Sequence, residues 1–144
     1  METAEMARIV SQVTEPVLGV TFVAAASGAA EINPAWKTAA LPIDGTTPLT
    51  VAVSADEACA RILGSNMFAT PVERLDDGMV ADALCELVNM TAGLLKSAMH
   101  VDQPLGLPSM RQNELLSAGD DAWSHHFMRA GELNLVLAVA TRIY

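Results

Sequence analysis

Positive charge is scarce in this chain of 144 residues, which has 8 Lys and Arg against 17 Asp and Glu and a formal net charge of −9. Binding to a nucleic acid backbone requires clustered Lys and Arg, and an anionic membrane surface also attracts basic segments. The composition therefore argues against both partners. Residues 1–15 contain three Glu and a single Arg, whereas an export signal begins with a positive region. We therefore expect a cytoplasmic protein.

Sequence signatures of metal and nucleotide sites are also missing. Cys59 and Cys85 stand alone within apolar helical patterns, with no CxxC pair, which predicts small core residues in a reducing compartment. His125 and His126 are adjacent in a strand pattern, so their side chains point to opposite faces and cannot bind one metal ion together. The chain has no Gly-rich phosphate loop and no G-x-S-x-G elbow. We predict that the chain itself binds no metal and no cofactor.

Apolar residues are plentiful, at 51% of the chain against 17% charged residues. This balance excludes intrinsic disorder and predicts a well-buried interior. A chain of this length is long enough for one substantial core and too short for two comfortable ones. We therefore predict a single domain over residues 1–144.

Three segments have the apolar spacing of α-helices. The first covers residues 3–13 and precedes Pro16, which we expect to break or kink the helix. The second begins at Ser54, where Glu57 three residues later completes a capping box. The third is the longest and covers about residues 76–100, with acidic residues at its positive end.

Short apolar runs bounded by turn residues predict two hairpins, an extended segment and a loop. In chain order these are a loop with a short strand at its start over residues 22–33, a hairpin of 36–43 and 49–53, an extended or edge segment over 101–110, and a hairpin of 122–130 and 132–144. Together with the helices they predict an α/β (α+β) sandwich, in which a mostly antiparallel sheet carries one long and two shorter helices.

The third predicted helix carries one polar stripe. At about 100° per residue, seven of its positions fall within an arc of roughly 100°. Such a stripe is by itself typical of an amphipathic helix that faces water. Two of the seven are a glycine and an asparagine, which are poor helix formers. A face that only meets water would gain nothing from them, so we predict a docking surface. The seven positions are Asp82, Glu86, Asn89, Gly93, Lys96, Ser97 and His100.

The same periodicity separates exposed from buried positions on this helix. Glu86 and Asn89 are expected at the surface. The apolar side chains expected in the core are Leu84, Leu87, Val88, Met90, Leu95 and Met99.

The pattern D-x-x-x-E-x-x-N-x-x-x-G, together with the order of elements and the later LGLPSM segment, resembles the CheX and CheC family of chemotaxis phosphatases. In that family of two-component signalling proteins, the E-x-x-N helix docks on a phosphorylated response-regulator receiver domain and removes the phosphoryl group from its aspartate. The resemblance implies that Glu86 pairs with the receiver's active-site lysine and that Asn89 orients the attacking water. It further implies partner contacts by Asp82, Gly93 and Lys96, with Mg²⁺ supplied by the CheY-like receiver.

The chain departs from the CheC pattern in two ways, and the first of them places it nearer CheX. CheC-type members carry the motif on two helices, but here the first helix has Glu5 followed by Arg8, and the second has Glu57 followed by Ala60. Without a second motif, the resemblance implies a single catalytic site. The proline after the motif, Pro108, follows it more closely than in CheC proteins, so the resemblance assigns it no role in shaping the site.

Three functions remain open on the sequence. The leading hypothesis is a phosphatase of a phosphorylated receiver. The main alternative is a binding module that docks on a receiver or a flagellar-motor component without catalysis. A metabolic α/β enzyme with a small-molecule pocket is disfavoured because the chain has no cofactor signature.

Likeness to CheX also implies a homodimer that pairs through sheet edges. The final predicted strand, LNLVLAVA, gives an independent motive because an apolar strand at a sheet edge must be covered or paired.

Overall fold

The computed structural model describes residues 1–25, 35–112, 116 and 123–144. The helices are α1 (Thr3–Leu18), α2 (Glu57–Phe68) and α3 (Asp77–Ala98), with a short 3-10 helix over Val72–Arg74. The strands are β1 (Val23–Ala24), β2 (Lys37–Ile43), β3 (Leu49–Ala55), β4 (Ser109–Arg111), β5 (Trp123–Ala130) and β6 (Leu133–Ala140). The predicted α+β architecture and both hairpins are confirmed, while residues 26–33 of the predicted loop and residue 122 lie outside the described residues.

The six strands form one sheet in the order β1-β5-β6-β3-β2-β4, and every neighbouring pair is antiparallel. Strand β6 lies between β5 and β3, so the expectation that it is an exposed edge was wrong. Its apolar sequence suits a central strand that is buried on both faces. The edges of the sheet are β1 and β4, which are two and three residues long and offer little backbone for pairing.

The main core lies between the three helices and one face of the sheet. Alternate residues of the central strands supply this face, among them Leu41, Val51 and Leu137. The opposite face carries small side chains such as Ala40, Ala52 and Ala138, which pack with Leu116 and Trp123. Helix α3 spans β2 and β3 on the helical face, so the sheet holds the predicted motif helix along much of its length.

Two local features differ from the expectations. The N-cap of α2 is Asp56, whose side chain accepts from the Cys59 amide at 2.8 Å, while Ser54 lies in β3 and accepts a hydrogen bond from Thr38. Helix α1 passes through Pro16 without ending there, because the proline falls in the last turn, where few backbone bonds depend on it. Gly19, with a φ of 67°, then closes the helix.

Helix α3 is the one segment among the described residues that passes a test of length and hydropathy for a membrane span. A core helix of a soluble protein passes the same test, and this helix buries Leu84, Leu87, Val88 and Leu95 against the rest of the domain. Its packing explains its apolar composition.

Candidate functional site

Helix α3 forms the backbone of the candidate site, and both of its ends are set by local contacts. The side chain of Asp76 caps the first turn by accepting from the Met79 amide at 2.8 Å. The helix ends at Ala98, and His100 then adopts a left-handed conformation with a φ of 57°. Between these ends the predicted apolar positions are buried, with the exception of Met90, and Met99 just after the helix is exposed as well.

Glu86 and Asn89 lie on the outer side of α3. Glu86 is exposed, as predicted, and Asn89 is half-buried, so the expectation of full exposure holds only in part for the amide. Residues three apart on a helix have Cβ atoms about 5–6 Å from each other. Within the described part of the chain, neither the Glu86 carboxylate nor the Asn89 amide has a hydrogen-bond partner. Both groups are therefore available to an external molecule.

Asp82 and Lys96 have different surroundings. Asp82 is exposed one turn before Glu86. The ammonium of Lys96 is half-buried and donates to the backbone carbonyl of Gln103 at 2.5 Å. Lys96 therefore has a structural role inside the chain, and its predicted contact with a partner stays a prediction.

Gly93 leaves a gap in this surface that the fold itself does not require. A Cβ atom built at Gly93 would have one neighbour within 4 Å, Leu105 Cδ1 at 3.9 Å, which is ordinary van der Waals contact. The hydroxyl of Ser97 donates to the Gly93 carbonyl at 3.2 Å and adds no bulk over the gap. An alanine would fit here and favour the helix, so the glycine is not explained by packing within the described residues.

A groove of about 630 Å³ runs beside Glu86 and separates α3 from the ends of α1 and α2. Asp82, Glu86 and Met90 form one wall, while Met67 and Phe68 of α2 contribute to the other. Pro16, Val17 and Asn66 complete the lining. Both charged groups of the lining are carboxylates, so the groove favours an apolar or basic occupant.

The expectation that Met90 and Met99 belong to the core was wrong. Met90 is 41% exposed and Met99 is 36% exposed. Met90 borders the groove, and Met99 lies beyond the last helical residue, so the helical period no longer applies to it. Phe68, which is 42% exposed beside Met90, was not singled out from the sequence because nothing local places the end of α2 against α3.

The other candidate residues belong to the structure rather than to this site. Burial raises the pKa of the Cys59 thiol to about 12, with a further contribution from Asp56, and burial also raises the pKa of Cys85. His125 Nε2 lies 2.9 Å from the Leu116 carbonyl oxygen, whereas His126 Nδ1 lies 3.0 Å from the Thr3 hydroxyl. Over the described residues no three His, Cys, Asp or Glu side chains come together as a metal site.

Fold and site together define a protein with a motif helix whose unpaired carboxylate and amide face outward from an α+β sandwich. The family model described as "Chemotaxis phosphatase CheX" matches residues 38–128, which include all of α2 and α3. The chain therefore belongs to the CheX family. No curated protein sequence matches the chain significantly, so the relationship depends on the family model and on structural similarity.

Solved structures of the same fold cover nearly the whole chain. CheX from Desulfovibrio desulfuricans is 15% identical, with a TM-score of 0.73 over 97% of this chain and 99% of the other. The CheX-CheY-BeF3-Mg²⁺ complex from Borrelia burgdorferi matches with 17% identity and a TM-score of 0.74 over 95% of each chain. The FliM middle domain from Helicobacter pylori is 9% identical, with a TM-score of 0.64 over 96% of this chain and 86% of the other. The fold is thus common to proteins with different names, and fold alone does not assign the activity.

Proposed function

We propose that the protein is a phosphatase of a phosphorylated CheY-like receiver domain. The observation that carries this proposal is the unpaired Glu86 and Asn89 pair on the outer face of α3, in a chain of the CheX family. In this reaction water attacks the phosphorus of the receiver's aspartyl phosphate, the bond between phosphorus and the aspartate oxygen breaks, and inorganic phosphate leaves. Aspartyl phosphate is already activated, so positioning the water supplies most of what the catalyst must add.

Asn89 is the proposed catalytic residue. Its side-chain oxygen accepts a hydrogen bond from the water, while the amide NH₂ donates to a neighbouring oxygen, and the group does not titrate near neutral pH. The half-buried position restricts the side chain and lowers the entropy lost when the amide is fixed. The free hydrogen-bonding capacity of the amide supports this role.

Glu86 is the proposed docking group. Its exposed carboxylate pairs with the lysine of the receiver's active site, which places Asn89 one helical turn away at the phosphoryl group. Asp82, one turn earlier, adds negative charge on the same side of the helix and favours approach of a basic surface. The open space over Gly93 receives the partner's backbone.

Lys96 is proposed as a contact at the margin of this interface. Because its ammonium is bound to the Gln103 carbonyl, it contributes by holding the neighbouring chain segment as well as by facing the partner. The Mg²⁺ required for phosphoryl transfer is supplied by the receiver, where it neutralises the phosphoryl oxygens. The chain itself is proposed to bind no cofactor.

The direct experiment is a turnover assay on phosphorylated receivers from the same organism, with and without Mg²⁺. We expect at least one receiver to lose its phosphoryl group faster when the chain is added, and inorganic phosphate to appear in equal amount. If no receiver is dephosphorylated faster, whether or not it binds the chain, the phosphatase assignment is wrong.

A non-catalytic binding module is the second candidate, and the structural likeness to the FliM middle domain favours it. It predicts saturable binding with an unchanged phosphoryl lifetime, so the same assay separates the two functions.

We also propose a cytoplasmic location, where receivers are found, and a homodimer. Because the edge strands β1 and β4 are short, a dimer that pairs through the sheet edges would have a small interface. Light scattering, which gives the mass of the particle in solution, tests whether the chain is a dimer.

A further inference from the structure

We propose that Leu107 is an anchor residue for the receiver, with a side chain that enters the receiver surface beside Asn89. This inference rests on the proposed function, because it names a further contact of the same docking site. Leu107 lies in the segment of residues 101–108 between α3 and β4, which we call the strap. Its role is positioning, since it touches neither water nor the phosphoryl group.

Leu107 is 85% exposed, more than any other large apolar side chain among the described residues. A single exposed leucine needs no explanation in itself. It becomes informative here because the segment that carries it is held in place at several points, so its exposure is not the result of a loose loop.

The side chain of Gln103 fastens the strap to the turn between β2 and β3. Its amide donates to the Thr47 carbonyl at 2.8 Å, and its carbonyl accepts from the Thr47 amide at 2.8 Å. The backbone of Gln103 accepts from Lys96, which fastens the same residue to α3. Both the hairpin and the motif helix therefore fix the beginning of the strap.

Gly106 fixes the end of the strap against β2. Its amide donates to the Pro42 carbonyl at 2.7 Å, and a Cβ atom at Gly106 would lie 2.5 Å from the same oxygen. Only glycine allows this approach without a shift of the backbone. Pro108 then confines the preceding residue, Leu107, to extended conformations. The leucine side chain is consequently presented from a constrained backbone.

The strap runs alongside α3 in the opposite direction from Lys96 to Gly93, and we infer that the same course, continued over two residues, brings Leu107 to the level of Asn89. Gln103 is bonded to Lys96, and Leu105 lies near Gly93. Later residues of the strap therefore contact earlier residues of α3. Two further extended residues cover about 6.6 Å. That distance corresponds to about four residues of helix, which leads from Gly93 to Asn89.

The receiver is the occupant that fits this anchor. A partner that meets Glu86 and Asn89 across the outer face of α3 also reaches the strap, because Asn89 shares its side of the helix with Gly93 and Lys96, which both contact the strap. An exposed leucine beside a polar, charge-bearing pair matches the arrangement of an apolar anchor with neighbouring polar contacts at protein interfaces.

The test compares Leu107→Ala with Val23→Ala, a matched control at an exposed valine on β1, at the opposite edge of the sheet. The probe is a receiver that the wild-type chain dephosphorylates, loaded with beryllofluoride and Mg²⁺. We expect Leu107→Ala to raise Kd about tenfold, equivalent to about 1.4 kcal/mol, and Val23→Ala to leave Kd unchanged. Leu107→Met keeps an apolar side chain of similar size and should bind like the wild type.

A kinetic measurement with the phosphorylated receiver completes the test. Leu107→Ala should raise KM by about the same factor and leave kcat within about twofold, as expected for a residue that contributes binding alone. An unchanged Kd and KM in Leu107→Ala, with active wild-type protein, overturns this inference and leaves the phosphatase assignment intact. If Leu107→Ala instead changes the oligomeric mass, the leucine belongs to an interface between copies and the inference is also overturned. A wild-type chain that neither binds nor dephosphorylates any receiver overturns both proposals.

Discussion

Helices α1 and α3 pack on the same face of the sheet, and each exposes a glutamate followed three residues later by a second polar side chain. In α1 the pair is Glu5 and Arg8, and in α3 it is Glu86 and Asn89. The shared spacing follows from the helical period and is not evidence of function in either helix. What differs is the surface around each pair.

One turn beyond Asn89 the helix has a gap at Gly93, whereas the corresponding position in α1 is Gln12, an exposed side chain. Helix α3 also lies beside the fastened strap. Both glutamates border a groove, of about 630 Å³ at Glu86 and about 260 Å³ at Glu5, so a groove alone does not separate the two helices. Under the proposed function, the amide of Asn89, the gap at Gly93 and the neighbouring strap are the features that make α3 the docking helix and that α1 lacks.

The largest expected effect comes from moving the motif between the helices. In a chain with Asn89→Ala, the added substitution Arg8→Asn creates the E-x-x-N spacing on α1. We expect dephosphorylation of the receiver to stay about 100-fold below the wild type, because α1 lacks the surrounding surface. Recovery of more than a tenth of the wild-type rate would show that spacing alone is sufficient.

The affinity of Glu86→Ala for the receiver tests whether the glutamate of α3 differs from that of α1. Loss of the proposed ion pair should weaken the complex with the beryllofluoride-loaded receiver about tenfold at low salt, and the difference from the wild type should shrink as salt is raised. The control is Glu5→Ala on α1, which removes the same charge from an exposed site. Titration calorimetry gives both values, and equal weakening by the two variants would reduce the effect to net charge.

Gly93→Ala should improve the helix and impair docking. An alanine at this position fits the fold and should raise the free energy of unfolding by about 1 kcal/mol, as measured with urea. The added methyl group intrudes on the partner, so the receiver should bind roughly fivefold more weakly, equivalent to about 1 kcal/mol. Gln12→Ala on α1 is the matched control for binding, and a tighter complex with Gly93→Ala would contradict the proposed gap.

The smallest expected effect concerns the anchoring of α1. His126 is 8% exposed, and burial lowers its pKa from 6.5, with smaller contributions from the N-terminus and His125. The His126 ring therefore binds a proton more readily in the unfolded chain than in the folded one. The stability that the neutral, buried ring contributes is complete above pH 6.5 and is lost as the pH falls below that value. Urea midpoints at pH 7.5 and 5.5 should differ less in His126→Gln than in the wild type, whereas receiver turnover at pH 7.5 should be unchanged by the substitution.

The sequence predicted much of α3 and the hairpins because these depend on local periodicity. Leu84, Leu87, Val88 and Leu95 are buried as their spacing requires. The order of strands depends on long-range pairing, which explains why β6 was wrongly expected at an edge.

Competing hydrogen bonds explain the error at the start of α2. Ser54 lies in the sheet and pairs with Thr38, which leaves Asp56 to cap the helix. Asp56 also accepts from the backbone and side chain of Asn134, a residue 78 positions away. No local pattern contains that information.

The candidate site also has a part that local sequence predicts and a part that depends on long-range contacts. The polar stripe of α3 follows from the helical period, but the strap depends on the contact of Gln103 with Thr47 across 56 residues. The exposed leucine of the strap could not be distinguished in the sequence from the other apolar residues of LGLPSM. The shape of the surface around the motif therefore required the structure.

The central claim is that the Asn89 amide positions the attacking water, and single-turnover dephosphorylation by Asn89→Ala tests it most directly. The chain is held at saturating concentration over the phosphorylated receiver, so that differences in binding do not affect the rate. Ser97→Ala is the control, because the Ser97 side chain is exposed on the same helix and its hydroxyl bonds, among the described residues, to the Gly93 carbonyl alone. We predict a rate about 100-fold below the wild type for Asn89→Ala, with receiver affinity nearly unchanged, and a wild-type rate for Ser97→Ala. A wild-type rate in Asn89→Ala would contradict the account.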